Sequence, residues 1–274
     1  ILNRELVEET LREHEVEGVI HVAGYKYAGV SVTRPLHTYH QNVEGTRIVL
    51  EAMAAVGVTK IVFSSSAAVY GTPDVPLVVE DLPKRPASPY GESKLIGEWL
   101  IADQARATAD TDAPLRHTSL RYFNVVGSAD PSVYDTSPHN LFPIVFEKLI
   151  AGETPRINGD DYDTPDGTNV RDYVHVGDIA AAHVAAAQRL IAGEPIEAAY
   201  NLGSQNGLSV REIMDAMARV TGIAFTPEVG PRRPGDPDRI VATGELAARD
   251  LDWQMRYSID EMVRTGWEAR QNAL

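Results

Sequence analysis

Apolar positions along this chain fall into two alternating rhythms. Residues 3–15 place Leu6, Val7 and Leu11 at helical spacing among glutamates, which predicts an amphipathic helix with Asn3 as N-cap. Residues 16–23 (VEGVIHVA) form a short β-branched run, the pattern of a buried parallel strand. Helical spacing returns over 35–56, with Gly57 placed as a C-cap. Residues 60–66 (KIVFSSS) predict a second strand, and 71–89, rich in proline, read as loop. Ser88 and Pro89 then open a helix to about Ala109, serine as N-cap and proline at the first helical position. Residues 115–123 (LRHTSLRYF) predict a third strand.

This alternation predicts an α/β fold, a doubly wound parallel sheet with helices on both faces. Such sheets bind ligands beyond the carboxyl ends of their strands, here just after Ala23, Phe63 and Phe123. After Phe123 the texture changes. Residues 124–170 are loop-rich around one apolar helix near 140–151. An Ala-rich helix (175–193) and a strand (199–203) read as returns to the main sheet. A helix, a Pro/Gly/Arg-rich segment (230–238) and two final helices follow. The expected division is a main domain of residues 1–123 plus 169–205 and a smaller α+β substrate lobe of 124–168 plus 206–274.

Composition narrows the chemistry. The chain has 274 residues, ample for a sizeable core, and a formal charge of −14. That acid excess opposes nucleic-acid binding and electrostatic docking on anionic lipid. The absence of cysteine excludes disulfides, thiolate metal sites and a cysteine nucleophile. No apolar run reaches membrane-spanning length. Gly24 and Gly29 have phosphate-loop spacing, but Val30 stands where such a loop needs lysine. The histidine pairs 37/40 and 175/183 lack the carboxylate pattern of a metal site.

Tyr90 and Lys94 carry the strongest chemical signal. At i, i+4 they leave one face of a helix, where a cation favours the phenolate and lowers the tyrosine pKa. That makes a usable base near neutrality. The pair alone arises readily by chance; its context is a serine cluster, residues 64–66, at a strand's carboxyl end.

With residues 64–71 (SSSAAVYG) and 88–94 (SPYGESK), the chain resembles the extended short-chain dehydrogenase/reductases, and among them the UDP-glucose (galactose) 4-epimerases. The resemblance continues through 42–46 (NVEGT), 121–127 (RYFNVVG), 139–143 (HNLFP), 166–178 (DGTNVRDYVHVGD) and 232–236 (RRPGD), in family order over essentially the whole chain. It implies a Rossmann-like domain, bound NAD, a UDP-sugar substrate, and a cytoplasmic homodimer. Tyr90 would exchange a proton with the sugar 4-hydroxyl. Lys94 would hold the nicotinamide ribose and depress the Tyr90 pKa. Ser66 would hydrogen-bond the 4-oxygen. Val22, Ala23, Gly24, Lys26, Asn42, Ser64 and Tyr122, together with Tyr90 and Lys94, match cofactor-contacting positions. Ser66, Asn124, Asn140, Leu141, Arg171, Tyr173, Arg233 and Asp236 match substrate-contacting ones, the two arginines as phosphate ligands.

Three departures qualify the resemblance. The family opens with a strand and a Gly-x-x-Gly-x-x-Gly turn that this sequence lacks. The resemblance therefore implies a truncated relative, short by on the order of 60 residues. The 274-residue polypeptide is expected to be inactive or poorly soluble, its sheet edge bare. Ile240 stands where some members carry tyrosine, and Asn158 where an aromatic often packs on uracil. The alternatives are another nucleotide-sugar enzyme of the superfamily, a dehydratase or decarboxylase, or a non-catalytic dinucleotide sensor. Dehydratases carry an Asp-Glu pair where this chain has Ala67-Ala68, and sensors usually lose the Tyr/Lys pair.

Overall fold

The computed structural model describes residues 1–233 and 236–274. Helix α1 (Arg4–Glu13) is capped by Asn3, whose Oδ1 accepts from Leu6 N at 3.1 Å. Strand β1 (Val19–His21) is shorter than the apolar run that announced it. Helices α2 (Ala28–Thr33) and α3 (Pro35–Tyr39) follow, then a π-helical turn (His40–Glu44) and α4 (Gly45–Val56). The single helix expected over 35–56 is thus interrupted by a widened turn, a feature that often marks a functional position. Asn42 sits in it, buried, and ties down the loop after β1: it accepts from Tyr25 N at 2.6 Å and donates to Tyr25 O at 3.0 Å. Gly57, at φ +78°, ends α4 in the left-handed conformation its sequence position implied.

Strand β2 (Lys60–Ser64) runs into a 3₁₀ turn (Ala67–Tyr70) capped by Ser66. In α5 (Pro89–Thr108), Ser88 Oγ accepts from Gly91 N at 3.2 Å and Pro89 is the first helical residue, as the sequence indicated. Next come β3 (Arg116–Tyr122), β4 (Asn124–Val126), α6 (Leu141–Ile150), β5 (Arg156–Asn158), β6 (Val170–Arg171) and β7 (Tyr173–His175). The chain continues through α7 (Val176–Ile191), β8 (Ala199–Leu202), β9 (Leu208–Ser209), α8 (Val210–Thr221) and β10 (Glu228–Gly230). It ends with β11 (Arg239–Ile240), α9 (Glu245–Leu251) and α10 (Ile259–Asn272).

The main sheet has the order β1-β2-β3-β8 and is parallel throughout. Apolar side chains of the sheet pack against helices on both of its faces. Ile61 and Phe63 pack with Val49, Met53 and Ile101 on the α4–α5 face. Val62 and Leu120 pack with Ile179, Ala182, Ala186 and Leu190 of α7 on the other. A separate core joins Val126, Phe142, Phe146 and Tyr173 to Met214, Met217, Met262 and Trp267 under α6, α8 and α10. Tyr173 therefore packs into this second core although it lies within 169–205.

Residues 166–178 mostly fasten the two cores together. Asp172, fully buried, accepts from Ser204 N at 2.7 Å and Ala242 N at 2.8 Å. His175 caps α7 by accepting from Gly177 N, and stacks on Tyr257 with ring centroids 3.7 Å apart. Asp178, also fully buried, accepts from Arg256 N at 3.0 Å. Buried carboxylates and imidazoles survive only when hydrogen-bonded in this way.

Candidate active site

The carboxyl ends of β1 and β3 and the start of α5 border a cavity of about 1020 Å³, where doubly wound sheets bind ligands. Of the sequence-derived site residues, Val22, Gly24, Lys26, Tyr90, Lys94, Tyr122, Asn124, Asn140, Leu141, Arg171, Tyr173, Arg233 and Asp236 line it. Ala23 is exposed, and Asn42, Ser64 and Ser66 stand behind the wall. Pro234 and Gly235, between Arg233 and Asp236, lie outside the described residues.

At the inner end, Lys94 is buried and donates to Ser64 O at 2.9 Å. Burial lowers its ammonium to about 8. Tyr90 is pushed up to about 12, chiefly by burial; the Ser66 hydroxyl pulls it back and the neighbouring Tyr122 adds to the rise. This corrects the expectation that Lys94 depresses the Tyr90 pKa. Lys94 Nζ sits 6.0 Å from the Tyr90 ring centroid, committed to the Ser64 carbonyl, and desolvation of the phenol prevails. The loop after β1 passes close by: a Cβ on Gly24 would meet Asn42 Oδ1 at 2.9 Å and Lys94 Nζ at 3.7 Å. Only a glycine leaves room there.

At the outer end, Arg171 donates to Asp236 Oδ1 at 2.5 Å and to Pro237 O at 2.8 Å. Asp236 also accepts from Asn169 Nδ2 at 3.0 Å. The arginine expected to face an anion is therefore already paired. Arg233 is exposed at the rim; with the Asn158 amide turned so that its oxygen faces the guanidinium, that oxygen accepts from Arg233 Nε and Nη2 at 3.2 Å. Among the described residues six cationic side chains line the cavity, namely Lys26, Lys94, Lys148, Arg156, Arg171 and Arg233, against Asp130, Asp135 and Asp236. In a chain of net charge −14, this is a local reversal of sign suited to an anionic ligand.

The sequence reading missed Asp135. It accepts from Asn140 Nδ2 at 2.6 Å and from Lys26 Nζ at 3.2 Å, joining the β1 loop to the start of α6 across the cavity. Burial pushes its pKa up, but these donors and Ser137 N prevail and hold it below the usual carboxylate range. It lies in an aperiodic loop, where no spacing singles out one acid.

Residues 1–203 match the NAD dependent epimerase/dehydratase family. UDP-glucose 4-epimerase 4 of Oryza sativa subsp. japonica is 42% identical over 268 residues, covering 95% of this chain and 71% of the rice protein. UDP-glucose 4-epimerase of Bacillus subtilis (strain 168) is 40% identical over 275 residues, covering 97% of this chain and 79% of that protein. The fold matches the crystal structure of UDP-glucose-4-epimerase from Stenotrophomonas maltophila, with bound NAD and formylated UDP-arabinopyranose, at a TM-score of 0.92 and 36% identity. That match covers 99% of this chain and 81% of the other. On this evidence the chain belongs to the NAD dependent epimerase/dehydratase family, and within it to the UDP-glucose 4-epimerases.

Proposed function

We propose that the protein catalyses NAD-dependent 4-epimerisation of a UDP-hexose, interconverting UDP-galactose and UDP-glucose through a 4-keto sugar. The observation that carries the reading is one cavity with a half-buried Tyr90 and a buried Lys94 at its inner end and Arg171 and Arg233 at its outer end. The close-approach glycine at Gly24, the buried amine of Lys94 and the cationic lining fit a dinucleotide at the β1–β2 side. Val22, Ala23, Gly24, Lys26, Asn42, Ser64, Tyr90, Lys94 and Tyr122 would hold it, and it supplies the hydride acceptor and donor. Tyr90 Oη takes the proton of the sugar 4-hydroxyl and returns it, with Ser66 beside it on the 3₁₀ turn. A cationic ligand next to Tyr90 would favour the phenolate, which burial alone opposes. Arg171 and Arg233 bind the diphosphate; Asn124, Asn140, Leu141, Tyr173 and Asp236 position the rest of the substrate.

We assign residues 1–123 plus 169–205 to the cofactor domain and 124–168 plus 206–274 to the substrate lobe. The same reading makes the protein a cytoplasmic homodimer serving galactose metabolism. Exposed Trp99 on α5 and Leu36 on α3, a helix packed against α5, offer apolar surface for a second copy. Dehydration is disfavoured because Ala67 and Ala68, in the turn after Ser66, offer no acid. The test is a panel of UDP-sugars given to the full product of the gene, with NMR of the products. UDP-glucose formed from UDP-galactose without added reductant supports the proposal, whereas a deoxy or decarboxylated product contradicts it.

A further inference from the structure

The three serines that follow Phe63 at the end of β2 are each tied to a different part of the fold. Ser64 O accepts from Lys94 Nζ, and the Ser64 hydroxyl pairs with His183 Nε2 of α7 at 2.7 Å. Ser65, fully buried, donates from its hydroxyl to Glu98 Oε1 at 2.5 Å. Ser66 caps the 3₁₀ turn by accepting from Ala68 N at 3.2 Å. Tyr90, Lys94 and Glu98 follow one another at intervals of one helical turn, so all three fall on one side of α5.

Glu98 is itself gripped from β3. Arg121 donates to it twice, Nε to Oε1 at 2.9 Å and Nη2 to Oε2 at 2.6 Å, and the two side chains are 6% and 10% exposed, arginine first. Such a fork fixes the angle between the partners as well as their distance. Arg121 Nη1 also donates to Tyr70 Oη at 2.8 Å and to Glu80 O at 3.0 Å. Tyr70 ends the 3₁₀ turn and donates in its own right to Asn201 Oδ1 of β8 at 2.8 Å. The ion pair therefore holds the chain on both flanks of Ser66: Ser65 before it through Glu98, and Tyr70 after it through Arg121. The first turn of α5, which carries Tyr90, rests on the same 3₁₀ turn, with Gly91 backing onto Ala68 O. Neither Glu98 nor Arg121 lines the cavity. Desolvation offsets much of the attraction in a buried ion pair, so folding stability is a weak reason for this one.

We propose that Glu98 and Arg121 are positioning residues for the reaction: the pair sets Ser66 and Lys94 in register with Tyr90. The inference rests on the epimerase reading of Tyr90. Truncating one partner alone strands a buried charge, so the test cuts the network first at its neutral end and then removes it whole. In Ser65→Ala of the full gene product the ion pair stays and only its link to β2 is lost. Its kcat for UDP-galactose is expected to fall about tenfold, the worth of one hydrogen bond, with KM and the affinity for UDP unchanged. Adding Glu98→Met and Arg121→Met replaces the pair by apolar side chains. That triple variant should melt close to the wild type yet turn over roughly 100-fold more slowly, as expected for reacting groups displaced by about 1 Å. Full kcat in Ser65→Ala, or wild-type kcat in a folded triple variant, would overturn the proposal, and so would a loss confined to KM. If the triple variant does not fold, Ser65→Ala decides alone. Absence of wild-type turnover removes the epimerase reading, and the positioning role with it.

Discussion

Lys94 is a cation buried without a carboxylate partner, a cost that function explains and folding does not. Its folded pKa, about 8, lies below the ordinary lysine value of 10.5. Below pH 8 both states are protonated and the full penalty applies. Between about 8 and 10.5 the unfolded chain binds the proton that the native one has released, so stability rises with pH. Lys94→Met should therefore stabilise the protein by roughly 2 kcal/mol near neutrality, after loss of the bond to Ser64 O, while removing activity. Thermal melts from pH 6 to 10.5 check this: the mutant's advantage should shrink through the upper half of that range. A mutant less stable than wild type at pH 7 would show that the amine is not penalised. At this scale the sequence was legible where one residue does one job. Asn3, Gly57 and Ser88 behave as caps. The sign of the Tyr90 shift was not legible, because it depends on how deeply the phenol is buried and on Lys94 turning toward a carbonyl.

Elements place these residues by close packing. The first turn of α5 lies against the 3₁₀ turn that follows Ser66, so a Cβ on Gly91 would meet Ala68 O at 2.5 Å and Pro86 Cβ at 3.0 Å. Gly91→Ala should cost about 1–3 kcal/mol by overpacking and lower kcat by displacing Ser66 from Tyr90. Urea denaturation and turnover of the same variant check both effects, and a variant with full stability and activity would show that the contact relaxes freely. The long alternation of helix and strand was readable because buried parallel strands and amphipathic helices carry distinct periods. The two-stranded β4–β7 piece was not, since three-residue strands have no period to read. Residues 166–178 were recognisable as a motif, yet the motif did not show that Asp172, His175 and Asp178 fasten loops while Arg171 and Tyr173 face the cavity. In the sequence His183 stands only in the 175/183 histidine pair that lacks a metal-site pattern, within an Ala-rich helix. The signal that could have found it is a titratable residue four positions after Ile179, beside the stripe that meets the sheet.

Across the whole molecule, charge is the organising quantity. Acids dominate the chain, while cations gather at one cavity. Affinity for free UDP should fall with added salt. Because Arg171 is already paired with Asp236, Arg171→Gln would both remove the proposed phosphate donor and leave that carboxylate unpaired beside the proposed diphosphate site. Its UDP affinity should drop by about 10- to 100-fold, and adding Asp236→Asn should recover part of the loss. Calorimetry with UDP checks this; equal affinity for Arg171→Gln and wild type would place the diphosphate elsewhere.

The central claim is that Tyr90 moves the proton of the 4-hydroxyl. The measurement is ¹H NMR of UDP-galactose conversion by the full gene product and its Tyr90→Phe variant, each first shown to bind UDP. The account predicts UDP-glucose from the wild type and a fall in kcat of about 100-fold or more in the variant, with UDP affinity retained. Turnover unchanged by loss of the Tyr90 hydroxyl would contradict it.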